Sequence, residues 1–302
     1  MRAALEHPHH LRTLLSADGT LIVYAVVGDG PRDFVLAPGL GAPMSAYRFL
    51  FERFAGEFRF ITWEPRGLFR SAVPEGGLAA LRLENHVADL EAIAAREGAR
   101  RFVLGGWSMG VQISLEYARR HPESVAALVL INGSCGHLLR GVALLGRRPR
   151  ALRALVRAAA AAGPVLNLVA KLALDRRGTI RALRRLQLMA RDGNLDDLQA
   201  LVSEFKHLEF GRYLSMMLAL DEHTCESYLH EIDIPALVTA GRRDLMTPPA
   251  LGEALARRLP RGELFTFEQG THYSLVEEPE ALNRTLAPFL ARALGGENRC
   301  SA

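Results

Sequence analysis

Cysteine is scarce: Cys135, Cys225 and Cys300 are the only three in 302 residues. An odd count at wide spacing makes neither a disulfide framework nor a zinc pattern. Two are read as buried or lid thiols and the third as part of a frayed tail. Long apolar runs are missing as well, and none approaches the ~18 residues of a membrane span. The first fifteen residues carry Glu6, Pro8 and three histidines where a secretory signal would carry an apolar stretch. The expectation is therefore a reducing, cytoplasmic setting. His7, His9 and His10 read as a terminal tail rather than as metal ligands. An excess of one charge is also lacking. Against 37 Lys and Arg stand 33 Asp and Glu, and a formal net charge of +4 does not argue for nucleic acid.

What is present is an ordinary globular composition, 49% apolar and 23% charged, which excludes disorder and collagen-like repeats. The length buries a core without staples and fits either two domains or one large α/β unit. To about residue 133, strand and helix patterns alternate. Thr13–Ser16 and Thr20–Val27 flank the turn signal Asp18-Gly19 and read as a hairpin. Phe34–Ala37, Phe60–Trp63, Phe102–Gly105 and Ala127–Ile131 are short apolar runs of the parallel-sheet kind. Ser45–Phe54, Glu84–Glu97 and Met109–Arg119 read as helices between them, with Val87, Leu90, Ile93 and Ala94 at helical spacing. The rhythm resumes with Ala236–Ala240 and Glu263–Phe267 as strands, and Ala250–Arg258 and Pro279–Ala293 as helices.

Between these regions the strand signals vanish. Gly136–Glu231 is rich in Ala, Leu and Arg and broken at Pro149, Gly163-Pro164, Gly178, Gly193 and Gly211. It reads as five to seven short helices inserted into one sheet. The expected division is residues 1–135 and 232–302 as an α/β core and 136–231 as a helical cap, too long for a plain connection. Residues 140–191 hold 13 Arg and Lys against a single acid, Asp175, a net of +12 that leaves −8 for the rest of the chain. The whole-chain total conceals a basic insert on an acidic body.

The chemistry-bearing string is Gly106-Trp107-Ser108-Met109-Gly110, between a strand and a helix. A serine on that turn projects its hydroxyl above the sheet edge, and only small neighbours such as Gly106 and Gly110 permit the bend. A serine hydroxyl needs a base, and the base needs an orienting acid. Asp244 stands just past one strand and His272 just past the next, so both reach the sheet edge of Ser108. Singly, Asp244 could be a helix cap before Pro248 and His272 a surface histidine. Jointly, in the order Ser, Asp, His, they read as a triad. The oxyanion needs backbone donors. Met109 N–H supplies one, and the Leu40 N–H in Pro38-Gly39-Leu40-Gly41 is the candidate for the other.

On Pro38–Gly41, Glu64-Pro65-Arg66-Gly67, Gly106–Gly110, Asp244 and His272, the chain resembles the α/β-hydrolase superfamily from about Thr13 to Ala293. The segment Ile234-Pro235-Ala236-Leu237-Val238 is similar to that family's acid-bearing strand. The resemblance implies an eight-stranded, mostly parallel sheet flanked by helices, with an inserted all-helical cap. Two differences are visible. Pro38 stands where the family often has His before Gly. In the family's D-x-R-G-x-G-x-S stretch, Glu64, Phe69 and Ser71 occupy the first, sixth and eighth places. Ser108 separates the chain from relatives with an aspartate nucleophile, and Asn132 stands where an alternative acid would follow the preceding strand.

The expected reaction is hydrolysis of a carboxylic ester or lactone of an apolar small or medium substrate through an acyl-enzyme, with no cofactor and no metal. The alternative is a thioesterase or acyltransferase docking an acidic carrier through its basic cap. A non-catalytic ligand-binding protein is the third reading. Phe205, Leu208 and Met216-Met217-Leu218 read mostly as insert core with a few residues lining a pocket, and Trp107 as packing rather than substrate contact. The arginines of the insert read as a solvated surface, or as a face for an anionic membrane or an acidic carrier protein. No aromatic-interleaved motif supports nucleic acid. Oligomeric state is not legible.

Overall fold

The structure, a computed structural model, describes residues 10–137, 139, 149–174 and 176–295. His7, His9, Cys300, Arg140, Arg147, Arg148 and Asp175 lie outside them, as does the tail after Gly295. Eight strands alternate with helices in chain order: β1 His10–Leu15, β2 Leu21–Val27, β3 Arg32–Ala37, α1 Arg48–Phe54, β4 Phe58–Trp63, α2 Leu83–Glu97, β5 Phe102–Trp107, α3 Met109–Arg120 and β6 Val125–Ile131. After β6 come α4 Pro149–Ala161, α5 Gly163–Ala173, α6 Arg177–Arg185, α7 Leu195–Glu204 and α8 Phe210–Leu220. The chain closes with β7 Ala236–Gly241, α9 Pro249–Arg258, β8 Gly262–Phe267, α10 Ser274–Glu277 and α11 Pro279–Gly295.

The strands form one sheet in the order β1-β2-β4-β3-β5-β6-β7-β8. Only β1 with β2 and β2 with β4 pair antiparallel; the other five pairings are parallel. Successive residues of a strand face opposite layers, so both faces need cover. Leu104 of β5 packs with Val87, Leu90 and Ile93 of α2. Its neighbour Val103 packs on the other face with Phe54 and Phe289, from α1 and α11. The apolar stripe on α2 is thus the buried face that its spacing predicts. His10 opens β1 rather than belonging to a tail. The hairpin turn holds because Gly19 takes φ +80° and Asp18 Oδ1 accepts from Thr20 N at 3.0 Å.

Arg66 fastens the antiparallel edge to the helices. Its guanidinium donates to both Asp89 oxygens of α2 (2.9 and 2.6 Å), to Asp18 Oδ2 (2.6 Å) and to the Ala80 carbonyl (3.1 Å). Fully enclosed charge is tolerable only when so completely matched. Nearby, His86 is buried and uncharged, pushed down to about 3 by desolvation and by Arg66.

The described part of the insert contains five α-helices. Pro149 and Gly163-Pro164 stand at helix starts, as their restricted geometry favours. Gly178 and Gly211 do not break helices, contrary to the expectation. Each sits in the first turn of its helix, where the N–H groups have no intrahelical partner. Among the described residues no single helix is long and apolar enough to cross a membrane; α4 and α5 would qualify by composition only as a pair bent by 77°.

Candidate active site

The parallel strands deliver the candidate residues to one edge of the sheet. Ser108 follows β5 directly and precedes α3, at φ 56° and ψ −112°. That conformation is costly for a side chain and stands out as stored strain. Its neighbours make it possible. A Cβ on Gly106 would lie 2.2 Å from the Gly110 carbonyl oxygen, and one on Gly110 would lie 2.2 Å from the Ala37 carbonyl oxygen. Helix α3 can therefore start hard against β3 and β5 only with glycine at both places.

His272 Nδ1 meets Asp244 Oδ2 at 2.8 Å, and both side chains are buried. Asp244 is held from every side. Its Oδ1 accepts from the Met246 and Thr247 backbone N–H groups at 2.8 and 2.7 Å. Its Oδ2 accepts from Thr247 Oγ1 at 2.6 Å and Asn132 Nδ2 at 3.2 Å. Burial alone would raise its pKa. The adjacent His272 and the Thr247 donors outweigh that and hold the carboxyl below its ordinary value. Asp244 does not cap α9, whose N-cap is Pro248 without a side-chain bond; its Oδ1 closes the turn ahead of that helix and its Oδ2 faces the imidazole.

Ser108, His272 and Leu40 line one cavity of about 130 Å³, roofed by Phe205, Leu208 and Tyr213 from the insert. Neither Leu40 N–H nor Met109 N–H donates to another group among the described residues, which leaves both free for an oxyanion. Trp107 corrects a reading in part. Its indole is buried and donates to the His272 carbonyl at 3.0 Å, as a packing residue would, yet it also lines the cavity.

Several residues escaped the sequence reading. Asn132, noted only as a missing acid, takes φ 44° and bridges three loops. It donates to Asp244 and to the Thr271 carbonyl (2.8 Å) and accepts from Ser274 Oγ (2.7 Å). Glu277 accepts from Thr271 N and Oγ1, both at 2.8 Å, and so fixes the residue preceding His272. Thr247, three residues after Asp244, was legible as an Asp-x-x-Thr turn; Asn132 acts on segments 112 and 139 residues away, and Glu277 acts across a turn that no spacing rule marks. At the altered loop, Phe69 keeps a left-handed φ of 52° where the resembling family has glycine, and Glu64 binds Arg70 Nε at 2.9 Å and Nη2 at 2.6 Å.

A serine at a strained strand–helix turn, an Asp–His pair and a cavity shared between them define the class of serine-type α/β enzymes. Residues 34–279 match the family model of the alpha/beta hydrolase fold, and the chain belongs to that family. Among curated relatives, a pimeloyl-(acyl-carrier protein) methyl ester esterase of Chromobacterium violaceum is 31% identical over 191 residues, covering 61% of this chain and 68% of that one. A protein of the same description from Vibrio cholerae is 25% identical and matched over 90% of this chain and 100% of its own length. Among solved structures, a thermophilic esterase from Thermogutta terrifontis superposes with a TM-score of 0.73 at 20% identity, covering 94% of this chain and 99% of that one. The enol-lactonase of Burkholderia xenovorans gives 0.69 at 21%, covering 93% and 100%. Both structural likenesses speak to the fold.

Proposed function

We propose that the protein hydrolyses the carboxylic ester or lactone bond of a small, largely apolar substrate. The observation that carries this is Ser108 and His272 lining one cavity while Asp244 holds the far side of the imidazole at 2.8 Å. Ser108 Oγ attacks the carbonyl carbon as its proton passes to His272 Nε2, and the Asp244 carboxylate stabilises the imidazolium. The Leu40 and Met109 N–H groups receive the oxyanion. The imidazolium then protonates the leaving alkoxide as the C–O bond breaks. Water attacks the acyl-enzyme, giving its proton to His272, and the acid leaves as Ser108 Oγ recovers that proton. Esterases among the curated relatives support this reading over a thioesterase or an acyltransferase.

The cavity limits the acyl group. At about 130 Å³, with Phe205, Leu208 and Tyr213 of the insert over it, the space favours short acyl chains over long ones. Fluorophosphonate labelling combined with an ester panel of increasing acyl length tests the reading. Label on Ser108 and a preference for short acyl chains are expected; an unlabelled Ser108 and no turnover of any ester would sink it.

A second reading concerns delivery. Arg181 and Arg185 of α6 are exposed, and the same insert roofs the cavity. With a relative acting on a carrier-bound ester, this supports docking of an acidic carrier on the insert. Carrier-bound ester turnover that falls steeply with salt, while free-ester turnover does not, is the expected signature.

A further inference from the structure

Among the described residues, the cavity beside Ser108 holds polar side-chain groups other than Ser108 and His272 in three places. The Trp107 indole is already spent on the His272 carbonyl. The other two are the phenols of Tyr213, from α8 of the insert, and Tyr273, next to His272. Both rings are fixed by packing. Tyr273 stands edge-on to Trp107 and to His272, with centroids 5.9 and 5.8 Å apart, and against Phe205 at 6.3 Å. Tyr213 lies against Phe210 at 6.0 Å and so near Gly41 that a Cβ there would sit 2.8 Å from its ring.

Both side chains are half-buried, and neither hydroxyl has a hydrogen-bond partner among the described residues. Burial is deep enough to push the Tyr213 phenol up to about 12, and Tyr273 higher still, so both are neutral donors. Two carboxylates flank this stretch of chain, Asp244 on the His272 imidazole at 2.8 Å and Glu277 on Thr271 N at 2.8 Å, and their charge, like burial, opposes ionisation of Tyr273. A further negative charge is therefore unwelcome, whereas an uncharged acceptor satisfies two idle donors. A carbonyl oxygen, with two lone pairs, can take both.

We infer that Tyr213 and Tyr273 form a subsite for a second, uncharged carbonyl on the substrate, within a few atoms of the carbonyl that Ser108 attacks. The substrate class is a short ester or lactone whose acyl part carries a keto, amide or second ester carbonyl. For turnover this rests on the ester-hydrolase reading; for binding it does not.

Three ethyl esters of equal acyl chain length test it: butyrate, 3-oxobutanoate, and the half-ester of succinate, which adds a terminal carboxylate. The readout is the kcat/KM ratio of the keto ester to the butyrate in the wild type, Tyr213→Phe and Tyr273→Phe. Differences in intrinsic reactivity and in folded fraction cancel in that ratio. A fall of about 5- to 10-fold for each substitution is expected, the worth of one hydrogen bond. A ratio unchanged within about twofold in both variants overturns the subsite. A succinate half-ester preferred over the keto ester overturns its restriction to uncharged groups. Calorimetric affinities of the same esters for Ser108→Ala, with and without each tyrosine, repeat the comparison without chemistry. If the wild type hydrolyses none of the three, the hydrolase reading fails, and the affinity ratio alone still decides the subsite.

Discussion

The sheet and the helical insert use the same residue types to opposite ends. Around the sheet, polar and charged groups are enclosed and matched: Arg66 against Asp89 and Asp18, Asp244 against His272, Thr247 and Asn132. In the insert, Arg181 and Arg185 of α6 are exposed and carry no ion pair among the described residues. Helix α5 leaves Val165, Leu168, Val169 and Leu172 more than half exposed. A group in the sheet body is constrained by several partners at once, so its removal strands the others. A group on the insert surface has few partners, so its removal strands little. The body positions chemistry to fractions of an ångström, while the insert supplies a roof and a surface.

The largest effects fall where that constraint meets the reacting atoms. Ser108→Gly should lower kcat for a short ester by about 10⁵-fold or more, the order seen when a triad nucleophile is removed. The same substitution should relieve the strain at φ 56° and raise the thermal midpoint by about 2 °C. Activity and stability moving in opposite directions is the signature. A midpoint that falls would show that the serine stabilises the turn instead. Asp244→Asn should cost about 10⁴ in kcat, because the amide in its place disturbs the imidazole tautomer. Single-turnover kinetics with a chromogenic ester separates this loss from any change in binding.

Next in size is the buried ion cluster. Arg66→Met leaves Asp89 enclosed without a partner and should destabilise by about 3–5 kcal/mol, read from urea unfolding. Below it lies Glu116 of α3, where the body meets the end of the insert. Burial alone would raise this carboxyl, but donors from Arg119 (2.7 Å), Tyr228 and Arg120 (2.8 Å) outweigh burial and hold it down to about 2. Because the folded value lies below the ordinary 4.5, the contribution is complete above about pH 5 and is lost as pH falls from there towards 2. Glu116→Gln should therefore flatten the decline of the urea midpoint between pH 5 and 3. An unchanged slope would mean that other carboxylates govern it.

What could be read in the sequence also differs between the two regions. Strand and helix boundaries in the body follow from apolar runs of fixed period, so Val87, Leu90 and Ile93 could be placed before any coordinates. Ser108, Asp244 and His272 were legible as candidates because local turn chemistry and chain order mark them. Asn132 and Glu277 were not, since Asn132 acts on segments more than 100 residues away, and Glu277 binds Ala190 N, 87 residues away, and Thr271 across a turn that no spacing rule marks. In the insert, the five α-helices among the described residues fall within the expected five to seven, but the inward reach of Tyr213 was not readable. Its selection against Gly41 is a tertiary fact, and tyrosine at helical spacing looks the same whether it roofs a cavity or packs a core.

The smallest effect sharpens the contrast most, because it falls on an arginine, the residue type whose loss at Arg66 is so costly. Arg181→Met should change stability by less than about 0.5 kcal/mol, since its guanidinium is exposed and nothing is stranded when it goes. The change from Arg66→Met to Arg181→Met therefore spans about an order of magnitude for one chemical substitution, set by burial and partners alone. Arg181→Glu and Arg185→Glu extend the measurement from structure to surface. On a free short ester, kcat/KM should stay within about twofold at low and high salt, because Arg181 and Arg185 are exposed and neither lines the cavity. On a carrier-bound ester the same pair should weaken KM, and added salt should reduce the difference between variant and wild type. Loss of stability comparable to Arg66→Met would place this part of the insert among the matched charges of the body, and the distinction between the two regions would fall with it.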